Sequence, residues 1–202
     1  MSEMNNTILA IVIILSNLFV CYGDLLEDQK SQLLEAHNIF RQTVAKGLVT
    51  RQPPAADMLK LIWSTDSASK AQGLADKCAF SHDSMSDRAY GDYQWVGQNV
   101  AMFSGQNISK GLELWFNEVT GYSYTTGACS GISCGHYTQL IWATSKELGC
   151  GVASCPYSSY TILFLVCNYA PGGNTNDEKP YQVGDNCSKC PIGTACTDGL
   201  CN

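Results

Sequence analysis

The sequence predicts an α+β domain, with helices early and strands late around a small, mostly antiparallel sheet, followed by a short cysteine-rich tail. Three observations carry this expectation. Apolar residues between Asp24 and Lys46 recur mostly at helical spacing. The later apolar runs are short, and Ile162-Leu163-Phe164-Leu165-Val166 suits a buried central strand. At Pro171-Gly172-Gly173-Asn174 the composition shifts to turn residues, and the tail begins.

Taken in order, the first helix is expected over Asp24 to Lys46, carrying Leu25, Leu26, Leu33, Leu34, Ile39, Phe40 and Val44 and stopping at Gly47. Pro53-Pro54 breaks the chain, and the alanine-rich stretch from Ala56 to Asp76 predicts a second helix. Trp95 to Phe103 reads as a strand. Ser109 to Val119 predicts a third helix with Ser109 as its N-cap. Gly149 to Ala153 and Tyr160 to Tyr169 read as two further strands. The polar and aromatic run Gly135 to Trp142 fits neither period.

The leading segment points to export. Thr7 to Val20 is almost wholly apolar, about as long as a signal-peptide h-region and short for a membrane span, and small residues fit cleavage after Gly23. Residues 1–23 are therefore expected to leave. The remainder has 12 basic and 17 acidic residues, a net charge of −5. That balance argues against nucleic acid or an anionic membrane as primary partner, and no second membrane span is expected. Of 11 cysteines, Cys21 leaves with the leader, and ten remain, an even number as a disulfide framework requires. Asn107-Ile108-Ser109 and Asn186-Cys187-Ser188 are glycosylation sequons.

The chain has only three histidines. His136 lies in the aperiodic run, and His82 closes Cys78-Ala79-Phe80-Ser81-His82. Glu118, on the apolar stretch Leu114 to Val119, is the natural third member of a site. Two imidazoles and a carboxylate can hold a metal or perform acid–base work. A hydrogen-bonded brace between helix and strand would use the same residues. His37, in His37-Asn38-Ile39-Phe40-Arg41, reads as helix packing and not as a ligand.

These residues also resemble a known family. Gly135 to Trp142, with Ser145 and Gly149-Cys150, looks like the first signature of the CAP superfamily (cysteine-rich secretory proteins, antigen 5, pathogenesis-related 1). Phe164 to Asn174 resembles its second signature, which the chain departs from at Thr175. His37-Asn38, Arg41, Trp63 and Gly97-Gln98-Asn99-Val100 follow in family order, so the likeness spans Leu26 to Asn174, and it leans toward the antigen 5 and helminth venom-allergen-like branches. It implies a three-layer α–β–α sandwich over 24–175, with a hinge-like tail over 176–202. It implies a cleft tetrad of which His82, Glu118 and His136 match three members, while the fourth, an acid in the family, is Gln98 here. A glutamine amide is no base at neutral pH and a weak cation ligand. The expectation is therefore no required cofactor, and at most weak zinc binding at His82, Glu118 and His136.

The resemblance implies pairing Cys78 with Cys155, Cys150 with Cys167, Cys187 with Cys196 and Cys190 with Cys201, which leaves Cys129 to Cys134. Family members bind sterols at an aromatic loop, here Tyr122-Ser123-Tyr124, and fatty acids between two helices. The same two tyrosines could simply cover the loop. Gly131-Ile132-Ser133-Cys134-Gly135 spells a nucleophile elbow, but no apolar strand precedes it. Cys187-Ser188-Lys189-Cys190 spells a redox motif, yet Cys196 and Cys201 behind it suggest a stapled knot. The expected function is a secreted, non-catalytic binding protein, a monomer or weak dimer, with small lipids, sterols or an extracellular receptor as partner. The competing readings are a zinc-assisted hydrolase on His82, Glu118 and His136, and an ion-channel-directed toxin, which the four-cysteine tail disfavours. From Asp185 onward that tail offers only Ile192 and Leu200 as apolar docking groups.

Overall fold

A computed structural model describes residues 25–175 and 178–202, so the expected leader lies outside the described residues. At the centre stands a four-stranded sheet of β1 (Ile62–Trp63), β2 (Gly97–Phe103), β3 (Glu147–Tyr157) and β4 (Tyr160–Ala170), in the order β1-β3-β4-β2. β3 and β4 form an antiparallel hairpin with Tyr157 opposite Tyr160, and β2 lies antiparallel on the far side of β4. The mostly antiparallel expectation holds, with one exception: β1 pairs in parallel with the start of β3.

The continuous apolar run in β4 has a simple cause. Side chains alternate across a strand, and here both faces are covered. Leu165, Cys167 and Tyr169 join one core with Leu33, Leu112, Trp115 and Leu140. Ile162, Phe164 and Val166 join a second with Ala71, Leu74 and Ala75. The first core is roofed by α1 (Glu27–Ala45), α4 (Ser109–Asn117) and α5 (Gly135–Leu140), the second by α2 (Thr65–Ala75), beside which lies the single turn α3 (Met85–Arg88). This is the three-layer sandwich that the resemblance implies. β3 carries glycine where α2 crosses it: a Cβ at Gly149 would run into the backbone of Ser67 and Ala68, and one at Gly151 into that of Gln72.

α1 buries a stripe of Leu33, His37, Arg41 and Val44, spaced to share one helical face, and Gly47 leaves the helix at φ +67°. Arg41 is fully buried, and among the described residues no carboxylate forms a salt bridge with it. Its guanidinium instead donates to the carbonyls of Leu59, Leu140, Trp142, Ala143 and Ser145. Burial lowers its pKa to about 9.

This cation explains where the sequence reading fails. The second helix does not start at Ala56; it starts at Thr65, with the Ser64 hydroxyl accepting from the Ser67 amide. Residues 56–64 instead bend at Ala56-Asp57 and then run extended, because tertiary partners claim their backbone. Leu59 donates to the Ala143 carbonyl, Ile62 to that of Lys146 and Ser64 to that of Leu148, while Asn38 clamps Leu61 through both its amide groups. Two smaller corrections follow the same logic. The N-cap of α4 is Ile108, not Ser109, with the Asn107 side chain accepting from the Ser109 amide. The aperiodic run 135–142 begins as the short helix α5.

The structure pairs Cys78–Cys155, Cys129–Cys134, Cys150–Cys167, Cys187–Cys196 and Cys190–Cys201. In the tail, β5 (Cys196–Thr197) and β6 (Leu200–Cys201) form a small hairpin. It docks more firmly than its few apolar residues suggest. Leu200 enters the first core, Cys201 and Met58 bond through their backbones, Lys60 donates to the Cys201 carbonyl, and Lys189 to that of Ala56. Ile192, by contrast, is fully exposed.

Candidate functional site

The expected site residues come from four segments: His82 from the loop after α2, Gln98 from β2, Glu118 from the 3-10 turn ending α4, and His136 from the first turn of α5. They assemble as two pairs. On one side, His82 Nδ1 lies 2.8 Å from Gln98 Oε1. On the other, His136 Nδ1 lies 2.6 Å from Glu118 Oε1. The second Glu118 oxygen accepts from the backbone amides of His136, at 3.0 Å, and Tyr137, at 3.1 Å. The carboxylate thus sits on exposed amides at a helix start, where the peptide dipoles favour a negative charge. Trp115 flanks this pair, its ring stacked toward His136 at 6.3 Å and its indole N–H donating to the Val100 carbonyl.

Both imidazoles use Nδ1 in these bonds, which directs their Nε2 atoms elsewhere. Among the described residues, however, the ligand atoms of His82, Glu118 and His136 do not all come within 4.8 Å of one another. The group that does is Cys187, Cys190 and Cys201, whose sulfurs are tied up in disulfides. The fit to zinc is therefore partial. Two imidazole nitrogens suit the ion, one carboxylate is committed to three hydrogen bonds, and the amide of Gln98 is a poor ligand.

Two residues around the site, Asp83 and Arg88, lie in no motif that marks them in the sequence. Gln98 Nε2 donates to Asn168 Oδ1 at 2.9 Å and to Asp83 Oδ1 at 3.1 Å, and Arg88 Nε lies 3.2 Å from that same Asp83 oxygen. Burial raises the Asp83 pKa against the opposing pull of Arg88 and Gln98. Beneath His136, Asn99 donates to the His136 carbonyl and to the Tyr169 hydroxyl. Tyr169 in turn meets Nε2 of the buried His37 at 2.8 Å, and His37 Nδ1 donates to the Leu33 carbonyl at 2.7 Å. His37 is thus the inner end of a brace, as helix packing requires, and burial drops its pKa to about 4.

The residues 34–169 match the family described as CAP: Cysteine-rich secretory protein family. The chain belongs to this family. It is 40% identical to Venom allergen 5.01 of Dolichovespula maculata over 178 residues, covering 82% of this chain and 77% of that protein. Among solved structures, Schistosoma mansoni venom allergen-like protein 4 superposes with a TM-score of 0.69 at 32% identity, covering 79% of this chain and 97% of that one. NaASP2 with Zn2+ superposes with a TM-score of 0.74 at 28% identity, covering 90% and 99%.

In this CAP domain Tyr122 and Tyr124 do not project freely. Both are half-buried against the first core. Tyr124 stacks on Tyr181 at 4.6 Å and donates to its carbonyl, with Lys179 over its outer face. Tyr122 packs on Tyr137 and stands between two depressions. The larger, about 530 Å³, runs from the Cys129–Cys134 disulfide past Trp142 to Lys179. The smaller, about 390 Å³, lies between the end of α1 and the 3-10 turn, walled by Leu48, Val49, Phe116 and Val119. Its remaining lining includes Gln52, whose Oε1 is buried without a hydrogen-bond partner among the described residues; the same is true of the Tyr137 hydroxyl behind Phe116 and Tyr122. Ser133 lies in an exposed turn with no strand before it, and its hydroxyl accepts from the Gly135 amide.

Proposed function

We propose that this CAP-domain chain is a secreted, non-catalytic binding protein that takes up a small amphiphilic lipid, a sterol or a long-chain fatty acid. The depression between α1 and the 3-10 turn carries the reading. Five apolar residues, Tyr122 among them, share its lining with three threonines, Arg51 and Gln52, whose Oε1 is an acceptor with no partner among the described residues. An apolar body with one hydroxyl or protonated carboxyl group matches that combination. Tyr122 borders the depression, whereas Tyr124 is engaged with Tyr181, so Tyr122 is the tyrosine assigned to ligand. Export fits the five disulfides and the family.

The same geometry supplies weak means for catalysis. His82 is paired with an amide and not with an acid, and the ten described cysteines are all in disulfides, which leaves no thiolate to act as nucleophile. Zinc, bound by NaASP2 in its solved structure, would be held here by His82 and His136, and would supply a polarised water. We expect its affinity to be micromolar at best, with His82→Ala plus His136→Ala abolishing it in calorimetry.

The experiment is equilibrium uptake of cholesterol and of palmitate by defatted protein. Saturable uptake of one of them is expected, reduced several-fold by Val119→Asp and by Tyr122→Ser, and little by Tyr124→Ser. No saturable uptake of either lipid would end the reading. Hydrolysis that survives purification and disappears in Glu118→Gln would favour the zinc-assisted enzyme instead.

A further inference from the structure

An amide at position 98 creates a problem of direction. The two ends of a glutamine amide differ only in whether they donate or accept, and the same holds for the two nitrogens of a neutral imidazole. The inner neighbour, Asn168, is itself an amide, and its own onward bond, Nδ2 to the Ser67 carbonyl, is a long 3.5 Å. Asn168, Gln98 and His82 could therefore all invert together with the same number of bonds between them. Inverted, His82 would accept at Nδ1 and carry its proton on Nε2, which removes the lone pair a cation needs.

Asp83 breaks that symmetry. A carboxylate can only accept, and a guanidinium can only donate. Asp83 Oδ1 takes Gln98 Nε2 at 3.1 Å while Arg88 stands 3.2 Å away from the same oxygen. The Asp83 side chain is 6% exposed, so water is largely kept from replacing it. With its NH2 group fixed on Asp83 and Asn168, Gln98 has only its oxygen left to offer His82.

We infer that Asp83, acting through the Gln98 amide, is the carboxylate that holds His82 with its proton on Nδ1 and its Nε2 lone pair free. The acid missing at position 98 is supplied one bond further out, from the residue next to His82 in sequence. Asp83 is a positioning residue, since it accepts from Gln98 and pairs in charge with Arg88 but makes no hydrogen bond to the ring. The inference rests on reading the cleft imidazoles as the groups that face a cation.

The test reads the ring directly. In cation-free full-length protein at mildly alkaline pH, long-range 15N–1H correlations report which His82 nitrogen is protonated. The unaltered protein should show the Nδ1–H form. Asp83→Ala should show a mixture of both forms, and calorimetry should find its Zn2+ affinity about tenfold weaker, the usual effect of losing an outer partner of a ligand. Asp83→Asn should keep the Nδ1–H form, because the Arg88 charge 3.2 Å away still favours an oxygen over an NH2 group at that position. Arg88→Gln should keep it too, because the carboxylate remains. If Asp83→Ala does not fold, the Asp83→Asn, Arg88→Gln double variant keeps a polar side chain of similar size at both positions, lacks both one-way groups, and should give the mixture. An Asp83→Ala protein that melts lower yet keeps the Nδ1–H form and the Zn2+ affinity would overturn the inference, leaving Asp83 as a partner for Arg88 alone. If the unaltered protein takes up no Zn2+, the cation reading of the cleft fails by itself, and the ring correlations still decide the role of Asp83.

Discussion

Acid should unfold this domain through His37. The ring is fully buried, donates from Nδ1 to the Leu33 carbonyl, and meets the Tyr169 hydroxyl at Nε2. A second ring proton would need Tyr169 to turn and accept it, although Tyr169 already accepts from Asn99. Desolvation is the main cause that lowers the pKa from 6.5 to about 4; the bond to Leu33 opposes it and the charge of Arg41 adds to it. The unfolded chain therefore takes up a proton below pH 6.5, while the folded one resists until about pH 4, so stability falls as pH falls through that window. At 1.36 kcal/mol per pKa unit, the loss from this one group is about 2 kcal/mol at pH 5 and about 3 kcal/mol at pH 4. Urea unfolding at a series of pH values, with disulfides intact, measures it against His37→Gln. The variant should be less stable at pH 7, by roughly 1–2 kcal/mol for its altered hydrogen bonds, and should lose distinctly less stability between pH 7 and pH 4. The same acid dependence in both proteins, or a folded-state His37 that titrates near 6.5 by NMR, would refute the reasoning.

Two further outcomes follow from the tail and the sequons. Leu200→Ala should destabilise the domain by about 2–3 kcal/mol in urea, because Leu200 is buried in the first core, whereas Ile192→Ala should change nothing measurable. Expressed in a glycosylating host, the chain should carry sugar on Asn107, which is exposed, and not on Asn186, whose amide donates to the Gly199 carbonyl beside the Cys187–Cys196 bridge; intact mass before and after Asn107→Gln measures both.

The sequence by itself determined much of this protein. Helical spacing in α1 and the unbroken apolar run of β4 are local records of which faces become buried, and such periodicity survives without knowledge of the partner. The family, the three-layer arrangement and the identity of His82, Gln98, Glu118 and His136 were legible in motifs, because chemistry-bearing residues stand inside recognisable runs. What the tertiary structure decided is whatever depends on bonds between distant segments. Residues 56–64 have the composition of a helix, yet from Met58 they run extended because Arg41, Asn38 and β3 claim their backbone groups. Leu200 looks like a lone apolar residue of a polar tail until α1 and Met58 are seen to receive it. Asp83 reads as an ordinary loop acid beside His82. Only the fold brings Gln98 between them, and the direction of a hydrogen bond is a property of three groups in space that no spacing along the chain records.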